Sequence, residues 1–227
     1  MSFISNFFNK EPKKEIKKDE AKKQGMSLFF SVLWREFWEL CKLNLIMMVF
    51  CLPVVTIPAT VTAVNKVMIF MLLDKPVYTF EDFFQTFKKE WKRATVLGLP
   101  YLLLLGLVLF AMYFYSSVYV NFYLYTFSML GVAVLIIIGF YLFSLLGFID
   151  LDLKSILKDA LILTFLRIPQ NLLALMGILA VVFVAIMFLP PSIIAILLMF
   201  FALIEFIAVF CAFTGIQKYV VKEEDNE

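Results

Sequence analysis

The sequence predicts an all-α membrane protein, a polytopic bundle of about six transmembrane helices in three hairpins with amphipathic helices beside the membrane. Three observations lead there. Residues 94–149 contain no Asp, Glu, Lys or Arg, and residues 171–204 contain none either. A helix crosses the hydrocarbon core with about 20 mostly apolar residues, so the first stretch holds two crossings and the second most of two more. Finally, 63% of the residues are hydrophobic and the mean hydropathy is +0.94, a balance that a water-soluble domain cannot keep off its surface.

The opening segment does not read as a signal peptide, because a long charged run precedes the first apolar core. Residues 10–23 hold seven lysines among Glu11, Glu15, Asp19 and Glu20, with too little apolar surface to bury. Residues 1–25 are therefore expected to be a charged flexible cytoplasmic tail. Its lysines could touch anionic lipid, but the interleaved acids offset that attraction. The helical transmembrane domain is expected over 26–214 and a cytoplasmic C-terminal tail over 215–227.

Within the domain, Trp34, Phe37, Trp38 and Cys41 recur at helical spacing, and the pattern runs into the apolar segment starting at Leu43. Pro53 and Pro58 should break that helix, since proline lacks an amide donor and clashes with the preceding turn. The segment is either an outer-face turn or a broken helix lining a cavity, with Thr56 available at membrane depth. A second helix, short and partly polar, should return over residues 59–73.

Residues 79–93 form the clearest amphipathic element. Phe80, Phe83, Phe84, Phe87 and Trp91 share one face, while Glu81, Lys88, Lys89, Lys92 and Arg93 avoid it. Thr79 followed by Asp82 resembles a capping box. This pattern predicts a helix lying in the membrane interface, or equally one packed on the protein's own helices. Two long helices follow, joined near Ser116, Ser117 and Asn121 within a belt of tyrosines. A polar stretch from Asp150 to Arg167 leads to a last pair of helices turning at Pro190 and Pro191.

With six crossings, every Lys and Arg falls at one end of the bundle or in the helices leading from it. The positive-inside rule makes that end cytoplasmic, with both termini there. A weak internal repeat, an amphipathic lead-in followed by a hairpin, begins near Leu28, Thr79 and Ser155.

Chemistry is much less legible than architecture. There is no histidine, which removes the Ser-His-Asp arrangement and the HExxH zinc site, and the chain reads as no enzyme. Cys41, Cys51 and Cys211 lie in apolar surroundings and read as small core residues. No cofactor, metal or nucleic acid is called for, the net charge being only +2. The one candidate site is intramembrane: Asn65, Lys66 and Glu205. Glu205 is the lone acid well inside an apolar segment, and such a residue needs a partner. It either pairs with Lys66 or stays protonated within the bundle while Lys66 snorkels to the inner face. Thr56, Thr60, Thr62, Ser128 and Ser144 are the other polar positions at depth.

Lys42-Leu43-Asn44-Leu45, the turn Leu52-Pro53-Val54-Val55-Thr56-Ile57-Pro58, and Phe83, Phe84 and Phe87 resemble the YesL-like family of bacterial integral membrane proteins, domain of unknown function 624. Pro58 stands where that family commonly has Gly, and Lys66 where an apolar or aromatic residue is usual. The resemblance implies no catalytic residues. Family members are often encoded beside carbohydrate ABC-transporter genes, which implies a non-enzymatic accessory or regulatory role in carbohydrate uptake at the bacterial cell membrane. The expected partners are membrane lipids and an ABC-transporter permease or another membrane protein; a homo-oligomer also fits. The alternative is a small secondary transporter or channel with a midplane site at Lys66 and Glu205.

Overall fold

The computed structural model describes residues 25–188 and 196–221. The helices are α1 (Met26–Arg35), α2 (Phe37–Phe50), α3 (Ile57–Leu72), α4 (Thr79–Ser117), α5 (Phe122–Phe148), α6 (Leu153–Leu166), α7 (Ile168–Met187) and α8 (Phe201–Ile216). A 3₁₀ turn, Val54–Thr56, precedes α3, and π-helical segments flank α8 at Ile196–Phe200 and Gln217–Val221. No strand occurs among the described residues. The charged tail before Gly25, the Pro190-Pro191 turn and residues 222–227 lie outside the described residues. The final helix runs past Thr214, where a tail was expected to begin.

Among the described residues, five segments are long and apolar enough to cross a membrane: Val54–Leu72, Thr79–Ser117, Phe122–Phe148, Ile168–Met187 and Leu198–Tyr219. The first of the six expected crossings is shorter than the pattern implied. Its lead-in and apolar part are separate helices, broken at Glu36. With 14 residues, α2 is about 21 Å long at about 1.5 Å per residue, against roughly 30 Å of hydrocarbon. The face expected to be continuous is also split: Cys41 is buried, while Trp34 and Trp38 are 87% and 76% exposed.

The turn after α2 is closed by its own threonine. One Thr56 hydroxyl lies 2.5 Å from the Phe50 carbonyl, left over at the helix end, and 2.7 Å from that of Pro53. Thr60 donates back to the Thr56 carbonyl at 2.9 Å. Leu52, Val54 and Val55 are exposed on this tip, an apolar surface suited to lipid.

In place of a separate interfacial helix over 79–93, α4 is one continuous helix of 39 residues, about 58 Å at about 1.5 Å per residue, so its charged first half must lie beyond the hydrocarbon. No helix-breaking residue intervenes until Pro100, so the two expected pieces fuse. Of the aromatic face, Phe83 is fully buried and stacks on Phe87 and against Phe50. Phe84 also meets Phe50, whereas Phe80 and Trp91 are 54% and 48% exposed. Two of the five rings, Phe83 and Phe87, thus serve the protein's own core.

The charged residues gather at one end of the bundle. Arg35 pairs with Asp74, and Thr79 donates to Glu39, tying α1 and α2 to the α3–α4 connection. Lys89 meets both Asp150 oxygens at 3.0 Å, and Arg93 bridges Glu90 and Asp150 across α4 and the end of α5. Phe148 meets Phe213, and Phe29 meets Phe210, which brings the ends of α5, α8 and α1 to the same place. Both ends of the described chain therefore lie at the charged end, whether the α2–α3 hairpin crosses the bilayer or only enters it.

Burial opposes ionisation of Glu39, but hydrogen bonds from Lys42 and Thr79 and the Lys42 charge hold its carboxyl below the usual carboxylate value. A depressed native value means stabilisation that is complete above about 4.5, the ordinary value, and is lost as pH falls through the native one. Unfolding midpoints in detergent should therefore fall with acidification in that window, and Glu39→Gln should flatten the slope. An unchanged slope would contradict this role for Glu39. A second expectation concerns topology: cysteines introduced at Lys89 and Ser117 should label from opposite sides of the membrane. Labelling of both from one side would rule out α4 as a crossing.

Candidate functional site

Three helices, α3, α5 and α8, place polar side chains together in the apolar interior. Asn65, 1% exposed on α3, donates through Nδ2 to Ser144 Oγ of α5 at 3.2 Å. Its side chain also lies against the Glu205 carboxyl of α8. The Asn65 Oδ1 and Thr62 Oγ1 atoms are buried without a hydrogen-bond partner. Close backbone approach makes this meeting possible: a Cβ on Gly147 would stand 2.6 Å from the Thr62 carbonyl oxygen, so only glycine lets α5 reach α3 here.

Of the residues read from the sequence, Asn65 and Glu205 come together and Lys66 does not join them. Among the described residues no ion pair contains Lys66 or Glu205. Lys66 lies 5.8 Å over the Phe70 ring, one turn nearer the charged end, and the charges acting on it are those of Lys89, Glu90, Asp150 and Asp82. Helical geometry explains the separation. Neighbouring positions differ by about 100° around the helix, so Asn65 and Lys66 cannot address the same partner. Lys66 instead reaches along the helix toward water, as a long amphipathic side chain does.

The proposed turn residues sit between α2 and α3, with Pro58 buried in the first turn of α3. Pro58 meets Gly98 of α4 so closely that a Cβ on Gly98 would strike its ring. Asn44 joins two helices through its side chain. Its Oδ1 accepts from the Ala202 amide at 3.0 Å, an N–H in the first turn of α8 where the π-helical segment ends.

A second polar network was not apparent from the sequence. Tyr141 donates to Asn171 Oδ1 at 2.6 Å, Asn171 Nδ2 donates to the Thr164 carbonyl at 2.9 Å, and Cys211 Sγ lies 3.4 Å from Asn171 Oδ1. Arg167, only 9% exposed, donates through Nη1 to the Cys211 carbonyl at 2.9 Å and to Thr214 at 3.0 Å. The available signal was Asn171 directly behind Arg167 and Pro169 at the head of an apolar helix. No cluster of three or more His, Cys, Asp or Glu that could hold a metal is present among the described residues. The three cysteines are free thiols, with Cys41 and Cys211 buried.

Chemically, the Asn65 cluster can hold a proton or hydrogen-bond a polar group, while the charged end can anchor the bundle at an interface. The fold and these sites define a helical membrane protein whose charged residues, Glu205 apart, gather at one end among the described residues. Residues 40–112, covering most of α2, all of α3 and most of α4, match the family described as "Protein of unknown function, DUF624", which supports the domain of unknown function 624 read from Asn44 and the Leu52 to Ile57 block. No curated protein and no solved structure matches the chain.

Replacing polar groups in the cluster should separate the two pairings. In a double-mutant cycle on detergent-solubilised protein, Asn65→Leu and Glu205→Gln should couple by about 0.5–1.5 kcal/mol. Lys66→Met and Glu205→Gln should add. Coupling in the second cycle with none in the first would reverse the assignment.

Proposed function

We propose that the protein is a non-enzymatic accessory or regulator of carbohydrate uptake, acting by helix contacts within the bacterial cytoplasmic membrane, with both termini cytoplasmic. The observation that carries the mode of action is how the intramembrane polar groups are used. Asn65 meets Ser144, Tyr141 meets Asn171, and Asn44 meets the Ala202 amide, each joining two helices. Thr56, Thr60 and Ser128 donate to backbone carbonyls. Groups bonded in this way hold a bundle together and offer little to a passing solute. Outwardly, α7 presents Leu172, Leu173, Met176, Phe183 and Met187, all at least half exposed, an apolar surface that lipid or another transmembrane helix can cover.

The carbohydrate link rests on the YesL-like resemblance, and orientation rests on the basic residues at one end. The test is affinity purification from native membranes in mild detergent. A carbohydrate ABC permease should copurify in near-stoichiometric amount, and its uptake should change when this chain is removed. Purification of the chain alone, with uptake unaltered by its loss, would overturn the proposal.

The transporter reading has one observation in its favour: the buried Asn65 Oδ1 without a partner, beside Glu205. A polar ligand could satisfy that oxygen.

A further inference from the structure

A cavity of about 380 Å³ lies between α1, α7 and α8, with Phe29, Leu173, Gly177, Ile207 and Phe210 among its apolar lining and Arg167 in its wall. That volume falls within the range of about 300–1,000 Å³ typical of small-molecule sites. Leu173 is 64% exposed, so the cavity borders the lipid-facing side of α7. Gln170 and Thr214 line it as well.

Arg167 is the feature that needs explaining. A guanidinium stays charged and is held in a buried site only with compensation. Among the described residues, both of its hydrogen bonds use the same nitrogen, Nη1, and the acceptors, the Cys211 carbonyl and the Thr214 hydroxyl, are uncharged. They lie in the last two turns of α8, where a carbonyl and a hydroxyl dipole offer only partial relief. No carboxylate pairs with Arg167 among the described residues. A formal positive charge thus sits in the wall of an apolar cavity beside lipid.

We infer that this cavity binds a phospholipid with an anionic headgroup, its phosphate on Arg167 and an acyl chain between α1, α7 and α8. The two halves of the site each demand one half of such a molecule. The guanidinium fork matches phosphate oxygens, and the ring- and methyl-lined space matches hydrocarbon. Basic pockets between transmembrane helices recognise anionic lipid headgroups by this division of labour.

The full chain, purified in mild detergent, should be tested by native mass spectrometry and thermal unfolding with phosphatidylglycerol, phosphatidylcholine or inorganic phosphate. Phosphatidylglycerol should be retained roughly tenfold better than phosphatidylcholine, since both offer a phosphate to Arg167 but the choline cation of the second cancels the headgroup's net charge and is repelled by the guanidinium. It should raise the unfolding midpoint by roughly 5 °C at saturation, whereas inorganic phosphate should not. Arg167→Gln should abolish the preference. Gly177→Phe, at a position where a Cβ meets nothing nearer than 3.8 Å, should fill the cavity and lower retention of both lipids while leaving the fold intact. The second variant decides the matter if Arg167→Gln does not fold.

Equal retention of the two lipids by the unmodified chain would overturn the inference, as would phosphatidylglycerol retention that is undiminished in Gly177→Phe. A full midpoint shift from phosphate alone would show an anion site without a lipid. A preference that emerges only when Glu223, Glu224 and Asp225 are changed to amides would assign the Arg167 charge to the chain's own acidic end, again overturning it.

Discussion

Asn171→Leu is expected to destabilise the protein by about 2–3 kcal/mol, because each buried polar group left unpaired costs about 1–3 kcal/mol. Asn171 is fully buried and serves four helices at once. It accepts from Tyr141 of α5, donates to the Thr164 carbonyl near the end of α6, and meets Cys211 of α8, all from the first turn of α7. Leucine is similar in size but strands the Tyr141 hydroxyl and the Thr164 carbonyl together. Membrane hydrogen bonds average less than this, about 0.6 kcal/mol, when the unfolded helices find other partners. A carbonyl near a helix end has few alternatives, which places this site above that average. Tyr141→Phe alone should cost less, and the double mutant less than the sum of the singles. Strict additivity, or a midpoint for Asn171→Leu within error of the unmodified protein, would show that the network does not hold these helices.

Gly98→Leu should be at least as damaging, for a steric reason. The added Cβ would strike Cβ and Cγ of Pro58, a ring that cannot rotate away. The contact joins α3 to α4, so the helices must part or the backbone must bend. Overpacking costs about 1–3 kcal/mol where neighbours can adjust and more where they cannot. At about 2–4 °C per kcal/mol for a chain of this size, the midpoint should fall by roughly 5 °C or more. Gly106→Leu on the same helix is the control, because nothing lies within 4 Å of its Cβ position. Equal effects at the two sites would mean that helix propensity, and not the Pro58 contact, governs Gly98.

What could be read in advance follows from the range of each signal. Absence of charge over residues 94–149 and 171–204 acts through composition alone, so the long helices and the confinement of charge to one end are legible without knowing what packs on what. The turn at Pro53 was likewise visible, because proline acts on its own backbone. The break at Glu36 was not, since its flanking residues carry no helix-stopping type and the bend is tied down by Arg35 reaching Asp74 far along the chain. Helix periodicity marked Phe83 and Trp91 as one face, but only the position of Phe50 decides that the first is core and the second exposed. In the candidate site, Asn65 and Glu205 stood out because polar groups are rare there. Charge complementarity suggested Lys66 as the partner, and the direction of the side chain around α3 favours Asn65. The Tyr141–Asn171–Arg167 network joins residues 30 apart and more, and each looks unremarkable alone.

The most direct test of the central claim, that the buried polar residues join helices and do not form a transport path, is solute and proton flux in proteoliposomes. The purified chain should be reconstituted alone beside Glu205→Gln, with internal pH and radiolabelled sugar followed under an imposed pH gradient. Both proteins should match empty vesicles, and Glu205→Gln should differ from the unmodified chain only in its unfolding midpoint. Flux above the vesicle background that Glu205→Gln removes would contradict the claim and make the Asn65–Glu205 cluster a transport site.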